Sequence, residues 1–543
     1  MPSDDSRFRS ALRAGWRPLC LAAFLAAAIL HAAPSDAAPA SAPAKSRATA
    51  AKAATAAPRT GLEDLEKQVR EFTLPNGVTF ILVERRDAPV FSFMTSVNAG
   101  SVDNPFGSTG LAHMMEHMAF KGTPLVGGKD HEAEKPLLEA EEKAWQAVFA
   151  ERQKGARADS AALAALEAKF AEARDAARGQ VESNEFSSLL ERNGVQGLNA
   201  FTAMDLTAYL YSLPSNRLEL WALLEGSRMA HPVFREFYTE RDVVFEERRM
   251  RYESSPFGRL LWEFWTNSFY AHPYGWTGIG YPSDLKNLSR ADGEEFYRRY
   301  YVGKNITVGV VGDVALADLK NHATRYFSDI SDAPPPPPIV TVEPEQRAER
   351  RVILEDKAQP QIMIGWHVPA ASDPSYRAYA AAADLLGGGD HSRLHKALVK
   401  EKKIAVRVTA ETGFPGEKYP NMLFAIVTPA AGQDPRTVEQ EVYRVIEEAM
   451  GPKPFTQEEL DGHKVRTRAQ TVRAAQANGE LAANLAQHQT LYGDWREFFR
   501  AAQRVQALTL ADLDAAMKRA MRAGNRTVAM IVPPGSGGSV GGN

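Results

Sequence analysis

The sequence predicts an α+β fold made of two related α/β-sandwich halves, each a mixed sheet with helices packed on it. Three observations carry this expectation. Short β-branched and aromatic runs are mixed with long stretches of helical periodicity, the pattern of layered sheets and helices. Five consecutive prolines at 334–338 can form neither a helix nor a central strand, and they divide the chain. The two sides of that run carry matching landmarks. Ala88-Pro89-Val90 opens a strand on the first side and Gln359-Pro360-Gln361 on the second, while Asn305-Ile306-Thr307-Val308 and Asn525-Arg526-Thr527-Val528 close them.

Taken in order, the chain begins with Arg7, Arg9, Arg13 and Arg17 ahead of an apolar run at 19–30, followed by small residues. That is the pattern of a signal peptide over 1–37, with Ser35-Asp36-Ala37 at the cleavage site, and it implies export across the inner membrane to a periplasmic or extracellular location. Residues 38–66, rich in Ala, Pro, Ser and Lys, read as a flexible tether. The first half then spans 67–333. Its strands are expected at 72–74 and 78–83, around the turn Pro75-Asn76-Gly77, and at 91–97, 207–213 and 306–311. A proline-rich linker at 334–345 leads to the second half at 346–534, with strands at 352–354, 361–366, 422–427 and 527–532, and a Gly-rich tail at 535–543. Pro89 and Asn305 lie 216 positions apart, but Pro360 and Asn525 only 165, so the first half must contain an insertion. Residues 129–182 supply it. Trp145, Val148 and Phe149 share one helical face, and Leu163, Leu166, Phe170 and Ala173 another, on either side of a turn at 155–160. A helical hairpin arm is expected there, either as a docking surface or as a decoration of the fold.

Composition excludes several classes. With 543 residues, 44% hydrophobic and 24% charged, the chain is globular and long enough for more than one core. A net charge of −3 leaves no basic footprint for nucleic acid, and nothing beyond the leader is long and apolar enough for a membrane span. The single cysteine, Cys20, rules out an intrachain disulfide or a cysteine-rich zinc module.

The chemistry lies in His113-Met114-Met115-Glu116-His117. On a helix His113 and His117 are one turn apart and project from the same face, which Glu116 shares. Two neutral imidazoles suit zinc, and a carboxylate beside them can take a proton from an activated water. A catalytic zinc also needs a third protein ligand. Candidates are in segment 238–250, where Glu240 and Glu247 are two turns apart and face the same way. Spacing alone fits a ligand with a supporting carboxylate as well as a salt-bridged surface helix, because Arg241, Arg248 and Arg249 are adjacent.

These motifs, the Leu198-Asn199-Ala200-Phe201-Thr202 stretch and the two-half layout resemble the pitrilysin/insulinase family of zinc metallopeptidases with the inverted His-x-x-Glu-His motif. The likeness is to the short bacterial type, similar to mitochondrial processing peptidase, and covers most of 71–533. The resemblance implies that His113, His117 and Glu247 hold Zn2+, that Glu116 is the general base and that Glu240 is a supporting carboxylate. The family's gap to the last ligand is shorter, and the arm accounts for the excess. It further implies that substrate adds as a strand beside Asn199, Ala200 and Thr202. The expected activity is that of a zinc metalloendopeptidase acting on peptides or unfolded segments. The alternative is a catalytically weak peptide-binding or assembly subunit of a peptidase complex.

The second half has no zinc motif. His391 and His395 are a one-turn pair without a Glu base and read as structural, and Gly387-Gly388-Gly389 lacks the lysine ending of a phosphate loop. Active members of the family carry an Arg and, seven residues later, a Tyr that stabilise the tetrahedral intermediate. The equivalent positions here, in a stretch read as a loop, are Val399 and Val406, with Arg393 or Arg407 as substitutes. The resemblance therefore implies a related subunit supplying the Arg and Tyr, or a homo-oligomer.

Overall fold

The computed structural model describes residues 61–535. The signal peptide and most of the tether lie outside the described residues, as does the tail after Gly535. Within the stretch expected as tether, Leu62–Gln68 is a helix, with Glu63 and Asp64 in its first turn and Lys67 in its last, charges that suit the helix dipole at each end. From Val69 onward, both halves belong to one compact unit.

The first sheet contains β1 (Arg70–Thr73), β2 (Thr79–Glu84), β3 (Val90–Val97), β4 (Gln196–Thr202), β5 (Thr207–Pro214) and β6 (Ile306–Gly312), in the order β1-β2-β6-β3-β5-β4. The second contains β7 (Arg350–Glu355), β8 (Gln361–Val368), β9 (Ala405–Phe414), β10 (Asn421–Pro429) and β11 (Arg526–Val532), in the order β7-β11-β8-β10-β9. From β2 onward the two orders are the same. In each sheet one pair is parallel, β2 with β6 in the first and β7 with β11 in the second, and the other pairs are antiparallel. The mixed sheets and the helices on them are those the sequence predicts.

The matching asparagines explain themselves. Asn305 Nδ2 donates to the Asn98 and Tyr300 carbonyls at 3.0 and 2.8 Å, and Asn525 Nδ2 donates to those of His367 and Ala520 at 3.0 and 2.8 Å. In each half a buried amide just ahead of the central strand ties a carbonyl at the end of a helix to one of the neighbouring strand segment, so two acceptors are satisfied at once.

Two strands escape the sequence reading, β4 and β9. Each is the last of its sheet, with one neighbour and a mixed polar composition, so neither shows the burial-driven pattern on which strand prediction relies. The stretch read as a loop around Val399 and Val406 is a helical turn, His395–Glu401, running into β9. Val399 packs against the core of the second half, whereas Val406 is exposed on the edge strand.

The helices that matter for function, in chain order, are α1 (Leu111–Met118), α2 (His131–Arg152), α3 (Ser160–Arg178), α4 (Phe237–Arg248), α5 (Pro256–Ser268), α6 (Tyr376–Gly387) and α7 (Asn478–Tyr492). The inserted arm is α2 and α3, each started by an aspartate cap. Asp130 accepts from the amides of Glu132 and Ala133, and Asp159 from those of Ala161 and Ala162. Helices α5 and α7 cross between halves. α5 belongs to the first half in sequence but packs on β7, β8 and β11, and α7 belongs to the second but packs on β3 and β6. Glycines admit both. A β-carbon on Gly309 of β6 would run into the Ala482 carbonyl of α7, and one on Gly365 of β8 would meet the Phe264 ring of α5 at 2.6 Å. This reciprocal exchange makes each sheet's core depend on the other half. Gly309→Ala is expected to cost about 1–3 kcal/mol through overpacking, read as a lower denaturant midpoint. An unchanged midpoint would mean that α7 has room to retreat.

Candidate metal centre

Helix α1 lies across β4 and β5 and against α4, and this placement builds the site. Its start is fixed from a distance, since the buried Asn104 side chain accepts from the Ala112 amide at 2.8 Å. Leu111, Ala112, Met114, Met115 and Met118 are buried, so the helix has only one polar face to offer, that of His113, Glu116 and His117. The two imidazole rings stand 4.7 Å apart and nearly perpendicular.

Helix α4 brings the third group. Glu247 Oε2 lies 3.7 Å from His113 Nε2 and 3.6 Å from His117 Nε2. Among the described residues, His113, His117 and Glu247 are the one set of three or more such side chains whose ligand atoms converge, within 4.8 Å of one another. Zinc bonds of about 2.0–2.1 Å in a tetrahedron place ligand atoms about 3.3–3.4 Å apart, so Glu247 Oε2, at 3.7 and 3.6 Å, is within a few tenths of an ångström of that spacing to each imidazole. Two imidazoles and one carboxylate are also the donor set of a hydrolytic zinc with an open position. Arg241 and Arg248, the residues that would mark a salt-bridged surface helix, are buried and donate to the Leu288 and Gly280 carbonyls at 3.0 and 2.9 Å. Only the Arg249–Glu246 pair is of the surface kind.

The groups around the three are equally ordered. Glu240 Oε1 lies 2.8 Å from His117 Nδ1, which commits that nitrogen to a hydrogen bond and turns Nε2 toward Glu247. Thr202 on β4 donates to Glu116 Oε2 at 2.7 Å. Asn199 and Ala200 lie on the same edge strand, three and two residues before Thr202. Two cations were not anticipated. Lys121 Nζ sits 2.6 Å from Glu240 Oε2, and Arg251 Nη2 sits 2.5 Å from Glu247 Oε1. Each lies four residues after a site residue, Lys121 after His117 and Arg251 after Glu247, and that spacing is the signal that could have found them. Arg251 lies in a π-helical turn, Arg249–Glu253, that continues α4.

Electrostatics separates the two imidazoles. Burial lowers the pKa of His113 to about 3, and its Nδ1 is buried without a hydrogen-bond partner. Burial also works against a charged His117, but the hydrogen bond to Glu240 and the Glu247 carboxylate 3.6 Å away outweigh it and raise its pKa to about 10. For Glu240 and Glu247, burial favours the neutral acid, yet His117 beside both, with Lys121 at the first and His113 and Arg251 at the second, holds both at about 2. Glu116 is raised, chiefly by burial.

In the second half, α6 packs on β9 and β10 as α1 does on β4 and β5, but Ala381, Ala382 and Ala383 are buried there instead of ligands. His395 Nδ1 faces the Asp390 carbonyl at 3.2 Å, and Arg393 is engaged by Glu459 at 2.5 Å. Arg407 lies on β9, with Glu411 the one charged neighbour that affects its pKa.

The family relations agree with this geometry. Residues 80–134 match the insulinase family, peptidase family M16, and residues 287–466 match the peptidase M16 inactive domain. The chain thus carries stretches of M16, or insulinase/pitrilysin, peptidase domains. It is 25% identical to the zinc protease PqqE of Helicobacter pylori, over 77% of its own length and 82% of the relative's. In fold it is similar to a crystal structure of a protease from Helicobacter pylori, with a TM-score of 0.71, 23% identity, and coverage of 86% of this chain and 99% of that one. It also matches the periplasmic protease PqqL from Escherichia coli with a TM-score of 0.62 and 18% identity, covering 86% of this chain but 48% of that one. M16 relatives named as zinc proteases support a peptidase role for the chain.

The pKa values set the proton balance of metal binding. At pH 7 the metal-free protein carries a proton on His117 but not on His113 or Glu247. Zinc must displace that proton, so its affinity is expected to rise about tenfold per pH unit from about pH 5 to 9 and to flatten above pH 10. Calorimetry in two buffers of different ionisation heat is expected to show one proton released per zinc at pH 7. Release of none would mean that His117 is already neutral in the metal-free protein, its one proton on Nδ1 facing Glu240, and would contradict its raised pKa.

Proposed function

We propose that the protein is a zinc metalloendopeptidase that cuts extended or unfolded peptide segments, completed by a second unit of related fold. The observation that carries the reading is the convergence of His113 Nε2, His117 Nε2 and Glu247 Oε2 beside a buried Glu116. When bound, zinc supplies a Lewis acid that brings the ionisation of water near neutrality and polarises a peptide carbonyl. Glu116 is the base. Burial raises its proton affinity toward the working range, and the Thr202 hydroxyl occupies Oε2. Oε1 is then the atom that accepts a proton from water and returns it to the leaving amine. Strand β4 ends its sheet, so an extended peptide can add beside Asn199 and Ala200 through backbone hydrogen bonds. There it runs past Thr202 and hence past the base.

A second reading, a peptide-binding or assembly subunit, is favoured by the match of 287–466 to an inactive domain and by valines at 399 and 406. The match to PqqL favours a paired arrangement, because the chain corresponds to about half of that protein. The missing unit is a related subunit carrying the Arg and Tyr, or a second copy of this chain. Export to the periplasm or beyond rests on the N-terminal pattern alone, whose residues lie outside the described region. Among the described residues, no helix is long and apolar enough to cross a membrane.

The test is hydrolysis of a quenched, unstructured peptide. Glu116→Gln is expected to lose at least about 10²–10⁴-fold in rate while retaining zinc. Equal rates for both proteins would remove Glu116 from the chemistry. A zinc-loaded chain that binds the peptide but leaves it intact, even with its native partner, favours the binding subunit.

A further inference from the structure

The inserted arm meets the metal centre from behind. On α4, Tyr238 and Arg241 are turned by about 100–160° from Glu240 at 100° per residue, so one face of the helix carries the site and another meets the arm. Tyr238 Oη donates to Glu142 Oε2 of α2 at 2.6 Å. The Arg241 guanidinium lies 4.1 Å from the Trp145 ring centre, and Trp145, Phe170 and Tyr238 form a cluster of three rings with centres 5.0–5.3 Å apart.

A second link runs through Arg235, buried like its partner Glu134 of α2 and joined to it at 2.6 Å. The same guanidinium donates to the carbonyls of Lys121, Thr123 and Val126 at 3.2, 3.0 and 3.1 Å. It therefore fixes the segment that leaves α1 and presents Lys121 to Glu240. Arg178, at the end of α3, lies 3.7 Å from Glu236, and Glu236 lies 3.3 Å from Lys121.

We infer that the arm is a positioning device for the metal centre, with Glu134, Arg235 and Tyr238 as positioning residues that hold Lys121 and α4 so that Glu240 grips His117. The inference rests on the zinc reading above. It treats the insertion as part of the ligand sphere's support, since groups behind metal ligands orient them and tune affinity. Removing one such support is expected to weaken zinc binding without touching a ligand.

The experiment measures zinc affinity by competition with a coloured chelator, on the full chain, together with the unfolding midpoint of the zinc-free protein. Tyr238→Phe removes one hydroxyl and keeps the ring packing, so it is the mild variant. Glu134→Gln leaves Arg235 without its counter-charge and is the more severe one. Tyr238→Phe is expected to weaken zinc binding by about threefold and Glu134→Gln by about tenfold, the lower end of the effect of groups bonded directly to a ligand. Glu167→Ala breaks an exposed ion pair to Arg152 within the arm and is expected to stay within about twofold of wild type. A lower midpoint with unchanged zinc affinity in both Tyr238→Phe and Glu134→Gln would make the arm merely structural and overturn the inference. A wild-type chain that fails to bind zinc would instead overturn the zinc reading itself, and the inference with it.

Discussion

The hydrogen bond between His117 and Glu240 is the contact on which the rest of the site turns. An imidazole can present either nitrogen to a metal, and a carboxylate on Nδ1 leaves Nε2 as the ligand. Because the two residues are 123 positions apart, that bond also states how closely α4 must approach α1. Once it is made, Glu247, two turns along α4, falls opposite both Nε2 atoms. The ion pairs of Lys121 and Arg251 then serve a plain purpose. Several carboxylates in one place repel one another, and Lys121 and Arg251 add to His117 in keeping Glu240 and Glu247 ionised, while burial leaves Glu116 with a raised proton affinity.

The duplicated architecture shows how a scaffold is separated from a site. Both halves use the same strand order and the same asparagine clasp, and each lends a helix to the other's sheet. Where α1 carries His113, Glu116 and His117, α6 carries buried alanines, so the second half keeps the packing without these polar groups. The exchange of α5 and α7 gives that half a structural role for the first, because a sheet with one face uncovered would expose the residues of β3 and β6 that are now buried.

Much of this was legible in the sequence because it is local or periodic. The His113–His117 spacing fixes a shared helical face, the Glu240–Glu247 spacing fixes another, and repeated landmarks around 334–338 disclose the two halves. The hairpin arm follows from its own periodicity. What was not legible depends on contacts between distant segments. Strands β4 and β9 exist because a neighbour pairs with them, not because of their composition. Lys121 meets Glu240 only when α1 and α4 come together, and Thr202 reaches Glu116 only because β4 lies beneath α1. The swap of α5 and α7 leaves a trace at Gly309 and Gly365, but a glycine in a strand does not say which helix approaches it.

The most direct test of the account is X-ray absorption at the zinc edge on the full chain, with Glu247→Ala beside it. The account predicts two imidazole nitrogens and a carboxylate oxygen at about 2.0–2.2 Å in the wild type, and loss of the carboxylate contribution in the variant. A spectrum with fewer than two imidazoles, or one unchanged by Glu247→Ala, would contradict the metal centre described here.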